Sequence, residues 1–195
     1  MDILDLWPRL RRDWRGPVAA LAGAVLVLVF AAPGLGFLLA VLLAGALAMG
    51  RDPVRAAPDS PAAVLAPVDG RVTAVERAAP PASMGFGEDA RLCVTVARGP
   101  LDSAALRQPA DGSVRRAGEF GCIISNEGQA DVGLLLAPAQ WSMLTRLRTG
   151  RVGAAGDSLG AMGPLGQVKV YLEPGVEIAV RRGQTVIAGE TALTR

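Results

Sequence analysis

Two aspartates sit in matching frames. Pro67-Val68-Asp69-Gly70-Arg71-Val72 recurs as Pro109-Ala110-Asp111-Gly112-Ser113-Val114, a shared P-x-D-G-x-V. A carboxylate in such a frame can move protons, or it can cap a tight reversal in which glycine takes positive φ freely. The capping role is the commoner one, and the identical flanking Pro and Val predict two equivalent hairpin entries. Asp102 and Arg107 are close enough in sequence to form an ordinary ion pair or to meet a charged lipid headgroup. Asn126 and Glu127 add an adjacent amide and carboxylate. Cys93 and Cys122 form no CxxC, which argues against a disulfide framework or a zinc site. Two buried free thiols are the expectation, with a single bridge between them left open. Histidine is absent. That removes the commonest general base, the commonest metal ligand and the usual partner of a Ser or Cys nucleophile.

Short strand-like runs separated by turn signals must position these residues. They are 71–76, 91–96, 113–116, 121–125, 132–136, 168–172, 177–180 and 185–188. Alternation is clearest in Arg91-Leu92-Cys93-Val94-Thr95-Val96, with Leu92, Val94 and Val96 on one face. The one candidate helix in this region is 138–148. Many short strands with Gly and Pro turns predict a mainly β fold, a sandwich or barrel. Gly183 to Thr191 has the cadence of the last hairpin of a lipoyl-type barrel sandwich. Lys169 is the only lysine. It does not sit at an exposed hairpin tip in a lipoyl or biotin attachment context, which argues against a swinging-arm carrier.

Ahead of this domain, residues 17–50 contain no charge. As one helix they would reach about 51 Å against roughly 30 Å of hydrocarbon, too long for one straight span. Pro33-Gly34 divides the stretch, since proline ends or kinks a helix. Two short helices, 18–32 and 35–49, are expected as a hairpin that dips into the bilayer or as two thin spans. One kinked span with the domain outside, and a signal peptide cleaved after Ala48, are weaker alternatives. Arginines flank both ends of the stretch, at 9, 11, 12 and 15 and at 51 and 55. This pattern fits both ends on the cytoplasmic side of the cell membrane. Ile3, Leu6, Trp7, Leu10 and Trp14 recur at helical spacing among the first arginines, as in an interfacial helix or a charged tail. The expected layout is thus a charged segment over 1–16, an anchor over 17–50, a Pro/Asp/Ala linker over 51–61 and a β domain over 62–195. From Arg51 onward the chain holds 16 basic and 15 acidic residues. No basic stripe interleaved with aromatics points to nucleic acid.

Four segments, in order, resemble the short bacterial and archaeal phosphatidylserine decarboxylases. Arg51-Asp52-Pro53-Val54-Arg55 resembles the Arg-x-Pro-x-Arg linker of that family. Ala66-Pro67-Val68-Asp69-Gly70-Arg71-Val72 resembles its Ser-Pro-Ala-Asp-Gly-Lys-Val. Gly99-Pro100-Leu101-Asp102 through Arg107-Gln108-Pro109 resembles its Ser-Pro-x-Asp-Val-His-x-x-Arg-x-Pro. Val168-Lys169-Val170-Tyr171-Leu172, with the 183–191 stretch, resembles its C-terminal strands. Asn126-Glu127 stands where the family has Asn-Glu-Arg.

The resemblance implies self-cleavage at a Gly-Ser bond. The serine becomes a pyruvoyl group that holds the substrate amine as a Schiff base and drains electrons for loss of CO₂. In this sequence the departures fall on that chemistry. Asp69 is kept, but the histidine position is Ala104. The serine position is Gln167 when aligned on Gly166, or Gly166 itself when aligned on Tyr171-Leu172. Neither has a nucleophilic oxygen. The only Gly-Ser bond is Gly112-Ser113, inside the second P-x-D-G-x-V frame. The first expectation is therefore a homologue that forms no pyruvoyl cofactor and binds no metal. It would be non-catalytic and would bind membrane phospholipid or an integral membrane protein complex, with Asp102, Arg107, Asn126 and Glu127 as headgroup or structural residues. The second is an active decarboxylase with an atypical processing site at Ser113 or Ser158, or completed by a partner chain. The third is a membrane-tethered adaptor.

Overall fold

The computed structural model describes residues 12–53, 55, 63–126, 130–137 and 146–195. It divides into two compact units. The first comprises residues up to 54 with Leu101–Ala104, and the second comprises Arg55–Pro100 with Ala105–Arg195.

The first unit is a pair of helices, α1 (Arg12–Ala31) and α2 (Pro33–Gly50), joined through Ala32. The break falls where proline removes a backbone donor and starts a new helix at its first position. Close packing at the bend needs Gly36, where a Cβ would lie 2.8 Å from the Val29 Cα. Val18 near the start of α1 is buried with Leu43, Ala46, Leu47 and Met49 of α2, so the helices run back along each other. Their outward side chains are apolar: Leu26, Val27, Phe30 and Phe37 are exposed. Among the described residues no helix is long and apolar enough to cross a membrane. α1 spends its first turns on Arg12, Asp13 and Arg15, which shortens its apolar part. The expected full spans are therefore not supported. Of the interfacial pattern, Ile3, Leu6, Trp7 and Leu10 lie outside the described residues, as do most of the linker and residues 138–145 of the helix expected over 138–148; where that helix was to end, Arg146–Leu147 form a strand instead.

The second unit is mainly β. Eight strands form one open sheet in the order β11-β1-β2-β10-β6-β5-β4-β8, all neighbours antiparallel. They are β1 (Gly70–Ala78), β2 (Arg91–Ala97), β4 (Gly112–Arg116), β5 (Gly121–Ser125), β6 (Val132–Ala137), β8 (Arg151–Gly153), β10 (Gln167–Leu172) and β11 (Thr185–Val186). A second sheet, β3-β9-β7, joins β3 (Ala105–Arg107), β9 (Ser158–Ala161) and β7 (Arg146–Leu147). The mainly β expectation holds. In place of a closed barrel there is an open sheet with β11 and β8 as its edges. The 177–180 run makes only an isolated bridge, Ile178 to Thr194.

The large sheet has internal two-fold character about the β10–β6 pair. Val168 pairs with Leu136, and Val170 with Leu134. Each side then repeats the same three strands outward. Valine and leucine at alternate positions fill the interior: Leu92, Val94 and Val96 share it, as their spacing requires. The intervening Cys93 faces the other way, into a smaller cluster with Met84, Ala117, Ile123 and Tyr171. Cys122 lies in the main core. The two thiols thus sit on opposite faces of the sheet, both free and buried.

Candidate functional site

Asp69 and Asp111 occupy equivalent places in the two halves. The Asp69 Oδ1 accepts the Ala188 N–H at 2.8 Å, and the Asp111 Oδ1 accepts the Ala155 N–H at 2.7 Å. Ala188-Gly189-Glu190 and Ala155-Gly156-Asp157 are therefore a second repeat, 33 residues apart, that the reading of the sequence missed. Gly189 and Gly156 both take positive φ. The glycine after each aspartate makes a close approach: a Cβ on Gly70 would stand 2.2 Å from the Ala97 carbonyl oxygen, and one on Gly112 2.3 Å from that of Ser125. The aspartates are thus equivalent, as expected. They hold strand entries to a neighbouring loop and are not tips of tight hairpins.

Among the described residues, Asp69 alone of the two has a cation. The Arg55 Nη2 lies 2.8 and 3.1 Å from its two oxygens, and Nη1 reaches Glu190 at 3.7 Å. Both members of the pair are mostly buried, 16% exposed each. The sequence marked Arg55 as a linker and membrane-flanking arginine but not as the partner of Asp69, 14 residues on.

Register brings the Asp69-Gly70 turn and the Gly166-Gln167 segment to the same end of three neighbouring strands. Arg71 pairs with Ala97, and Ala97 pairs in turn with Gln167. Beyond that rung the Arg98 N–H donates to the Gly166 carbonyl at 2.9 Å. β1 and β10 flank β2, so the two segments are about 10 Å apart. Gly166 is buried, and a Cβ there would lie 2.3 Å from the Met162 Cε. The Gln167 residue is exposed. The turn before them carries Leu165 at φ +59°, a region that non-glycine residues seldom adopt. Beneath it the buried Arg98 guanidinium donates to the Met162 and Gly163 carbonyls. Arg98 was not singled out from sequence. Its signal was a lone arginine directly after a run of alternating valines.

The other candidates lie elsewhere. Ala104 is buried in the first unit, where its N–H donates to the Met49 carbonyl at 2.8 Å. Beside it the Ser103 hydroxyl donates to the Arg51 carbonyl at 2.7 Å. Asp102 is half-buried in the same short segment. Arg107, in β3, donates from Nη1 to the Gly156 carbonyl at 3.1 Å. Asn126 follows β5, whose Ile124 pairs with Val132, while Gly133 pairs with Tyr171. Asn126 is thus at the opposite end of the central strands from Gln167. Glu127 lies outside the described residues. A cleft of 290 Å³ lined by Asp131, Glu173, Glu177 and Arg195 opens at that far end. Among the described residues no three carboxylate or thiol side chains gather as metal ligands. Burial pushes the Cys122 thiol up to about 12 and raises that of Cys93, so neither is poised as a nucleophile.

No protein-family model matches the chain. It is similar to the phosphatidylserine decarboxylase proenzyme of Mycobacterium tuberculosis (strain ATCC 25618 / H37Rv), with 33% identity over 181 residues. That covers 82% of this chain and 77% of the relative. The proenzyme of Mycobacterium bovis (strain ATCC BAA-935 / AF2122/97) matches equally. The proenzyme of Cereibacter sphaeroides (strain ATCC 17025 / ATH 2.4.3) is 29% identical over 215 residues, 99% of this chain and 93% of its own. Identity of one third across four fifths of the chain, with the two Asp-Gly strand entries built alike, places this protein in the phosphatidylserine decarboxylase family.

Proposed function

We propose that this chain is a membrane-associated member of the family that does not process itself, carries no pyruvoyl group, and acts by binding phospholipid. The observation that carries it is the chemistry at the end of β10. A pyruvoyl group needs a serine whose hydroxyl attacks the preceding carbonyl. Gly166 has no side chain, and the space a Cβ would take is held by Met162. Gln167 offers an amide, with no oxygen able to perform an acyl shift. The residues present do not fit the group. Asp69 is engaged at both oxygens by Arg55 and Ala188, which suits a structural carboxylate.

Membrane association is supported by the first unit. Phe30 and Phe37 are 84% and 73% exposed on either side of the Pro33 bend. A bent pair of apolar helices with aromatic residues near its tip suits insertion into the near half of a bilayer. The flanking arginines keep both ends on one side, which we assign to the cytoplasmic face of the bacterial cell membrane. The first test is the intact mass of the purified chain. A single species at 20.1 kDa is the expected result. A cleaved pair whose smaller piece starts at a blocked carbonyl terminus would restore the active decarboxylase.

A further inference from the structure

The loop between β1 and β2 takes no part in the β10 turn. It lies over the outer face of the large sheet, held by Met84, which is buried against Cys93, Ile123 and Tyr171. Phe86 follows, with the Arg91 guanidinium carbon 4.0 Å from its ring centre. So fixed, the loop separates two recesses that share Ala82 and Gly85 as a common wall. The first, of 200 Å³, is lined by Ser83, Arg115 and Arg116. Arg116 is turned back on its own hairpin, donating to the Gly118 and Glu119 carbonyls at 3.1 and 3.0 Å. Arg115 alternates with the inward Val114, so it points out from the sheet, and among the described residues it has no carboxylate partner. The second recess, of 460 Å³, is walled by alanine, proline and glycine, with Glu88 as its one charged residue.

An uncommitted guanidinium and a hydroxyl in one recess suit a phosphate, because both donate to anionic oxygen. Hydrocarbon walls in the adjoining recess suit an apolar chain. We propose that these two recesses form one binding site for an anionic phospholipid, its phosphate at Arg115 and Ser83 and the first part of an acyl chain along Ala79 and Pro80. The proposal rests on the phospholipid-binding reading above and gives that reading a location away from the degenerate site.

The test titrates dihexanoyl phosphatidic acid, and separately inorganic phosphate, into the full chain held in neutral maltoside micelles. Arg115→Gln and Ala79→Trp are compared in the same micelles after their unfolding midpoints are shown to match the parent. The parent is expected to bind the lipid at least about tenfold more tightly than phosphate. Arg115→Gln should lose about tenfold in lipid affinity, the scale of one charge-assisted hydrogen bond. Ala79→Trp should weaken the lipid and leave phosphate unchanged. Equal lipid binding by the parent and Arg115→Gln would overturn this site while leaving phospholipid binding intact elsewhere. Equal affinity for lipid and phosphate would make it an inorganic-anion pocket and overturn the amphiphile assignment. A parent that binds no lipid would sink the site and the phospholipid reading together.

Discussion

Arg55 closes on Asp69 from one side while the Ala188 N–H closes on it from the other, so the carboxylate is shared between a charge 14 residues before it and a loop 119 residues after it. Asp111 keeps only the loop half of that arrangement, at Ala155. Asp69→Ala should therefore cost more than Asp111→Ala. Removing Asp69 leaves a mostly buried guanidinium with only the longer Glu190 contact at 3.7 Å and leaves a backbone donor unpaired, expected at about 2–4 kcal/mol. Removing Asp111 leaves one donor unsatisfied, about 1–2 kcal/mol. Urea unfolding of the full chain followed by tryptophan-independent circular dichroism reads both. Equal losses would mean that Arg55 contributes nothing.

The two alignments of the family's serine differ in what they ask of the fold. Gln167→Ser should be near neutral, because the residue is exposed. Gly166→Ser should destabilise by about 1–3 kcal/mol, since its Cβ must displace Met162. Met162 is itself fully buried. Met162→Ala should lower stability alone yet reduce the further cost of Gly166→Ser. Thermal midpoints of the four chains form the cycle, and strict additivity would show that Met162 does not fill that space.

Gly112 has φ +137°, and its added Cβ would meet the Ser125 carbonyl oxygen at 2.3 Å, a backbone atom that cannot swing aside. Gly112→Ala is expected to cost more than about 3 kcal/mol. Gly70→Ala should behave alike, given the 2.2 Å approach to the Ala97 oxygen. A chain that accumulated folded with either change at parental stability would contradict the close approach.

Cys122 sets an alkaline limit. Its thiol is raised from 9.0 to about 12 in the folded chain by burial. The unfolded chain then loses this proton first as pH rises. The stability from the protonated, buried thiol is complete below about pH 9 and is lost between 9 and 12, with a slope approaching about 1.4 kcal/mol per pH unit. Cys122→Ala should be less stable at neutral pH, through the small cavity it leaves, and should flatten this alkaline limb. A limb of unchanged slope would assign it to other groups.

Much of the β unit was legible along the chain. The 121–125 strand falls where Gly121 to Ser125 was read, and 91–96, 113–116, 132–136 and 168–172 each lie within a residue of their observed strands. These runs carry period-two alternation or unbroken β-branched and leucine residues, which local chemistry makes readable. β3, β7, β8 and β9 were missed. They are two to four residues long, and their pairing is set by what they meet in space. The break at Pro33 was readable too, because proline imposes it covalently.

By itself, then, the sequence determined the strand-rich class, the helix break, the paired Asp-Gly frames and the absence of any hydroxyl at Gly166-Gln167. Tertiary structure alone decided which residues meet. It joined Arg55 to Asp69, set Arg98 beneath the Met162–Gly163 carbonyls, matched Ala155-Gly156 to Ala188-Gly189, and sent Asn126 to the far end of the strands from Gln167. The physical reason is that alternation specifies which face of a strand a side chain occupies, whereas the neighbour across a sheet is chosen by register between segments far apart in the chain.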